Sequence, residues 1–259
     1  MLQFGDICAW IATEGIENEC FAIEQPANNF VTCWIASESG KRFAVNWSNA
    51  SRAFPIQGVV LIDGIVCDNH VMLDYLYPDK PSAVGVSYAR TSDYTRRDFM
   101  FSTIEVTDDD AYLHTLGQTF SFGTITLELW RLQVTNVTTK PMQHQYGSPV
   151  LERQIVHERS KKAGTHHVKY GEEYSSPSPV VDMVTSYKVD NAPFVSFSFK
   201  YRPLAMLMAN GIVPRPLAPH KSAETNPSTR RAETYGQDAI TEIQRLEVVS
   251  CSFTAFPTH

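Results

Sequence analysis

The chain has 259 residues, of which 43% are hydrophobic, 19% charged and 11% aromatic. That profile is too apolar for global disorder and suits a globular protein of one large or two modest domains. Lys and Arg number 22 against 28 Asp and Glu, a net charge of -6, which argues against generic attraction to nucleic acid or to an anionic membrane.

No run of about eighteen apolar residues is present to span a bilayer. The start, Met1-Leu2-Gln3-Phe4-Gly5-Asp6, lacks the basic and apolar regions of a secretory signal. The five Cys are Cys8, Cys20, Cys33, Cys67 and Cys251. Their number is odd and none sits at C-x-x-C spacing, which fits a reducing cytosolic or nuclear compartment. Three N-x-S/T sequons, at Asn46, Asn49 and Asn136, carry no meaning without a secretion route.

Residues 7 to 136 read as strands. Ile7 to Ala12 is apolar and bounded by Glu14-Gly15; Cys20 to Glu24 stops at Pro26; Val31 to Ile35 stops at Glu38-Ser39-Gly40. In Arg42 to Trp47, Phe43, Val45 and Trp47 alternate onto one face. Asp63-Gly64 between Val59–Ile62 and Ile65–Cys67 predicts a type I′ hairpin, because both central residues of that turn need positive φ. Further strands are expected at Val84–Arg90, Phe99–Val106 and Gly123–Val134. The last places Ile125, Leu127 and Leu129 opposite Thr126, Glu128 and Trp130. Trp10, Trp34, Trp47 and Trp130 all lie on these strands and are read as core.

Between Val106 and Phe122 the period changes. Thr107 followed by Asp108-Asp109-Asp110 reads as a capped helix start, with acids at the positive dipole end and Gly117 as the stop. From about 138 to 190 the composition shifts to Lys, Glu, Ser, Pro, His and Gly, a long irregular insertion with a short ordered stretch near Leu151–Glu158. Phe194 to Tyr201 alternates again. Leu204 to Asn210 then has Pro203 before it and Gly211 after it, the marks of a short helix. The aromatic strand needs a sheet to cover it, so it is expected to join the N-terminal sandwich. Residues 214–259 read as a flexible tail, in which Ile240, Ile243 and Leu246 give a docking helix at about 238–249.

Several of these stretches together resemble a known family. They are His157-Glu158-Arg159-Ser160-Lys161-Lys162-Ala163-Gly164, Phe199-Lys200-Tyr201-Arg202-Pro203-Leu204, Met208-Ala209-Asn210-Gly211, Val31-Thr32-Cys33-Trp34-Ile35 and Thr107-Asp108-Asp109-Asp110. In combination they are similar to an uncharacterised domain family of unknown function, abundant in mushroom-forming fungi. The resemblance covers roughly residues 5 to 213. It implies a fungal, intracellular protein and implies no activity. It also suggests an acidic residue after Leu204, where this chain has Ala205.

The candidate chemistry lies in the insertion. Arg159, Lys161, Lys162, His166 and His167 place five basic or imidazole groups within nine residues, a donor set that suits phosphate or carboxylate. These five are the candidate ligand-binding residues; the bland alternative is a solvated basic loop. Clustered Asp108, Asp109 and Asp110 suit Mg²⁺, although the capping reading explains the same letters. No zinc spacing, Walker A, G-x-G-x-x-G or G-x-S-x-G occurs, so no metal site, cofactor or catalytic residue is assigned.

The expectation is a mainly β chain: an antiparallel, jelly-roll-like β-sandwich over 1–213, with short helices and the insertion at 138–190. Its expected role is a binding or assembly module that engages an anionic partner through the basic loop, without inserting in a membrane and with oligomerisation left open. The alternative is an enzyme acting on a small apolar substrate that carries a phosphate or diphosphate, assisted by Mg²⁺.

Overall fold

Alternating apolar residues make most of this chain into strands, and the computed structural model describes residues 1–111, 113, 123–142, 155–157, 159 and 165–215. In chain order the strands begin with β1 (Leu2–Phe4), β2 (Ile7–Thr13), β3 (Ile16–Glu17), β4 (Phe21–Ala27), β5 (Phe30–Ser37) and β6 (Phe43–Asn49). Next come β7 (Ile56–Ile62), β8 (Ile65–Met72), β9 (Ala83–Val86), β10 (Tyr88–Arg90), β11 (Thr95–Thr103) and β12 (Glu105–Thr107). The remaining elements are β13 (Thr124–Pro141), β14 (Ile155–His157), β15 (His166–Ser175), β16 (Val180–Lys188), β17 (Val195–Pro203) and helix α1 (Leu204–Ala209).

The larger sheet runs β4-β5-β17-β13-β7-β8, with β16 pairing the distal half of β13. Facing it are β1-β2-β6-β9 and β10-β11-β15, stitched together by an Arg42–Met100 bridge and by the Phe101 N–H donating to Lys41 O at 3.0 Å. The two layers close on one core. Its inner faces carry Val31, Cys33 and Ile35, Ile125, Leu127 and Leu129, and Phe197, Phe199 and Tyr201 from one side. The other side supplies Phe43, Val45, Trp47, Phe99 and Phe101. Phe43 stacks on Phe101 at 4.4 Å, and Phe101 reaches Tyr201 across the layers at 5.1 Å. The chain is therefore a β-sandwich.

Several local expectations meet their physical cause here. Asp63 and Gly64 have φ of 52° and 82°, and Ile62 pairs Ile65 across them, the two-residue turn that positive φ at both positions allows. The aromatic strand β17 lies between β5 and β13, so it completes the sheet begun near the N-terminus. Its pairing with β5 is parallel, as is that of β12 with β14, which makes the sandwich mixed where an antiparallel one was expected.

Other expectations are corrected. Within the stretch expected to be irregular, β15 pairs the length of β11 and buries Val168 and Tyr170, while β16 extends the β13 ladder. Of the four tryptophans only Trp47 is core. Trp10, Trp34 and Trp130 lie on outer faces and are half-buried, and the Lys188 ammonium sits 3.4 Å over the Trp130 ring. Thr107 ends β12; its hydroxyl accepts from Asp109 N–H, and a 3₁₀ turn follows in place of an α-helix start. Residues 151–154 and 238–249, read as ordered or helical, lie outside the described residues.

Candidate functional site

The five basic-stretch residues do not share one loop. Arg159 is exposed in a turn, while Lys161 and Lys162 lie outside the described residues. His166 and His167 open strand β15, with relative exposures of 7% and 1%. They are strand residues because Val168 and Tyr170 beside them alternate into the core opposite Phe101 and Phe99. Burial pushes both imidazoles below their ordinary value, and the Arg202 guanidinium adds to this at His166. They are therefore neutral hydrogen-bonding groups at neutral pH.

His166 Nδ1 shares a hydrogen bond with Ser37 Oγ at 2.8 Å, bridging the end of β5 to the start of β15. A hydroxyl beside an imidazole is the first element of nucleophilic catalysis, which also needs a group to orient the base. The nearby carboxylate, Asp63, is committed elsewhere. Its Oδ1 accepts from Gly123 N–H at 2.7 Å and Thr124 N–H at 3.2 Å, and its Oδ2 accepts from Val168 N–H at 3.3 Å. The Tyr201 hydroxyl lies 2.8 and 2.7 Å from the two oxygens. Asp63 thus ties the β7–β8 turn to β13, β15 and β17. Desolvation raises its pKa in spite of these donors, and burial raises the Tyr201 phenol well above its usual range. The sequence offered Asp63 only as a turn residue; its tertiary role needs three distant strands.

A second polar assembly lies on the outer face of β10, β11 and β15. The register sets Arg90 opposite Arg96 and Arg96 opposite Tyr174, with Tyr88 opposite Asp98 in the next row. Because Phe99 and Phe101 of β11 point inward, Asp98 and Met100 between them point out, and Arg96 continues that row. The Arg96 guanidinium lies 4.5 Å from the Tyr88 ring centre and 5.3 Å from that of Tyr174. It makes no hydrogen bond or ion pair among the described residues, and its Nε is buried without a partner. Asp98, the acid on this face, bonds Arg42 at 3.2 Å and accepts the Tyr174 hydroxyl at 2.5 Å. Arg97 turns away, its Nε donating to Gly171 O at 2.8 Å. Sequence reasoning passed over this face. The signal that could have found it is the alternation of Arg96, Asp98 and Met100 with Phe99 and Phe101.

The acids Asp108, Asp109 and Asp110 are exposed, and the Asp109 carboxylate accepts the Ala111 N–H at 2.9 Å. No three His, Cys, Asp or Glu side chains converge to hold a metal ion among the described residues. Nor is any helix among them long and apolar enough to cross a membrane.

Comparison with known proteins gives a family and no activity. No curated protein and no solved structure matches the chain. A family model, the domain of unknown function DUF7918, matches residues 22–216. That span takes in β5, the β10–β11–β15 face, the Asp63 junction with Tyr201 and helix α1. The chain belongs to the DUF7918 family.

Proposed function

We propose that this chain is a binding module for an anionic partner, contacted through the outer face of β10, β11 and β15, with Arg159, Lys161 and Lys162 of the basic stretch adding charge. The observation that carries the reading is Arg96, held between Tyr88 and Tyr174 with no carboxylate of its own among the described residues. Contact with the two rings holds the guanidinium, and its terminal Nη groups, which bond no described residue, would meet phosphate or carboxylate oxygens. Arg90 and Arg42 flank it, and Asp98 is already spent on Arg42 and Tyr174. The face is therefore locally positive on a chain of net charge -6, and recognition rests on this patch in place of a general field.

The setting we propose is the cytosol or nucleus of a fungal cell. Support comes from Cys8, Cys20, Cys33 and Cys67, all free thiols, and from the Asn49 sequon, whose side chain is buried and closed to glycosylation.

Retention on immobilised heparin in a salt gradient tests the reading. Arg96→Gln and Arg90→Gln should elute at lower salt than the parent, and Arg159→Glu with Lys161→Glu and Lys162→Glu lower again. Co-elution of every variant with the parent would discard it. The rival enzyme reading rests on Asp108–Asp110 and Mg²⁺. A melting temperature raised by Mg²⁺ plus diphosphate, through ligand linkage, would favour that instead.

A further inference from the structure

We propose that the edge of β13 beyond Leu132 is a strand-addition site for an extended segment of a partner polypeptide, apolar at alternate positions and carrying a basic residue. The site is separate from the arginine face. On the side of β13 that faces β7, pairing ends at Ile56 with Arg131 and the Leu132 N–H that donates to Pro55 O at 3.0 Å. On the other side β16 pairs β13 as far as Pro141. From Gln133 onward, then, β13 pairs no described strand on its β7 side.

A groove of about 550 Å³ runs along this edge. Its lining includes every residue from Arg131 to Asn136, while Phe54, Leu76 and Tyr77 form the opposite wall. Side chains of successive strand residues point to opposite faces. A cavity that touches six in a row takes in the edge of the strand, where backbone N–H and C=O groups lie, and it also reaches across β13 to Val189 on the β16 side. A chain segment entering there would continue the line of β7 within the sheet, over a length of about 20 Å for six residues.

The composition of the edge supports the same reading. Gln133-Val134-Thr135-Asn136-Val137-Thr138-Thr139 is uncharged and mostly β-branched. Natural edges are commonly guarded by Lys, Pro or inward charges. Here Lys140 and Pro141 come only at the far end, and the bulge between Val134 and Asn136 bends the edge without closing it. Main-chain pairing would give affinity, and alternate side chains would meet Phe54 and Leu76, as in other strand-addition complexes.

Charge selects the segment further. Arg131 is committed to Asp190, at 2.7 and 2.5 Å, whereas Asp74 in the groove has no ion pair among the described residues. Asp74 is thus the unpaired charge among the lining side chains, since the Arg52 guanidinium behind it is spent on the Lys80, Asp74 and Tyr77 carbonyls, and a basic residue on the incoming strand would meet it.

The test uses the full chain and an eight-residue peptide of alternating valine and threonine with lysine at both ends. A control peptide carries proline at two central positions. Hydrogen–deuterium exchange should slow at least tenfold at the alternate amides of 133–139 with the first peptide and not with the second. Asp74→Lys should weaken binding, and unchanged protection of residues 125–131 would show that the variant is folded. Unchanged exchange at saturating peptide would overturn the proposal. So would amides on this edge already protected in the free chain, whether by the chain itself or by a second copy seen as a dimer in light scattering.

Discussion

The Tyr201 hydroxyl reaches both oxygens of the Asp63 carboxylate, at 2.8 and 2.7 Å, across 138 residues of chain. The bond joins the tip of the first strong hairpin to the last strand of the sandwich. Three backbone N–H groups, of Gly123, Thr124 and Val168, donate to the same carboxylate, so the junction acts as a single unit.

Substitution there should cost stability in a graded way. Asp63→Asn keeps the turn, since Asn tolerates positive φ, but it turns an amide donor toward backbone N–H groups. We expect a loss of about 1–3 kcal/mol. Tyr201→Phe should lose about 1.5–3 kcal/mol, the range for a hydrogen bond to a charged group. Asp63→Ala should exceed both, because it orphans every donor at once. Urea denaturation reads all three, and a Tyr201→Phe protein as stable as the parent would show that the hydroxyl contributes nothing.

Acidity gives a second expectation. His166 and His167 titrate below their ordinary value of 6.5 in the folded chain, chiefly through burial. Between that lowered value and 6.5 the unfolded chain holds more protons, so stability falls as pH drops through about 6.5. Asp63 acts with the opposite sign and in a lower window. Its folded pKa is raised from 3.8 by desolvation, so its contribution is full below 3.8 and declines as pH rises through the raised value. Denaturation midpoints between pH 5 and 7.5 should slope downward with acid, and His167→Gln should flatten the slope. An unchanged slope in that variant and in His166→Asn would show that neither imidazole is the source.

Packing supplies a third. A Cβ built on Gly58 would lie 2.7 Å from Trp47 Cζ2, and Trp47 is fully buried with no room to yield. Gly58→Ala should therefore destabilise by about 1–3 kcal/mol through overpacking. Adding Trp47→Phe should recover part of that loss, a coupling that a double-mutant cycle measures.

The arginine face gives the fourth. Arg96→Met keeps an apolar stem between Tyr88 and Tyr174 but removes every N–H donor. Thermal stability should be kept or raised, because no hydrogen bond is lost and a buried, unpartnered Nε is removed. Heparin affinity should fall about tenfold, which corresponds to about 1.4 kcal/mol. Equal affinity with the donors gone would mean that the stack is structural.

How much of this could be read in advance differs by element. The Asp63-Gly64 hairpin and the inward Phe43, Val45 and Trp47 were legible because turn dihedrals and strand alternation are local properties. Strand β17 was legible as a strand in search of a sheet, since Val195, Phe197, Phe199 and Tyr201 need cover. Strand β15 was not. Its only apolar alternation is Val168 and Tyr170, set among His, Lys and Glu, and it becomes a strand by pairing with β11. The same is true of the outer tryptophans: an aromatic on a strand has two faces available, and the letters around it do not say which one the core takes.

The order of residues along the chain was enough for its β character, its turns, its strand alternation and its membership of a family with no assigned activity. Folding in three dimensions was needed to put His166 inside, to make Asp63 a junction, and to stand Arg96 between two tyrosines with no carboxylate partner among the described residues. The reason is physical. A turn or an alternating strand is specified by neighbours one or two residues away, whereas the burial of a polar side chain depends on whether distant segments bring it a hydrogen-bonding partner.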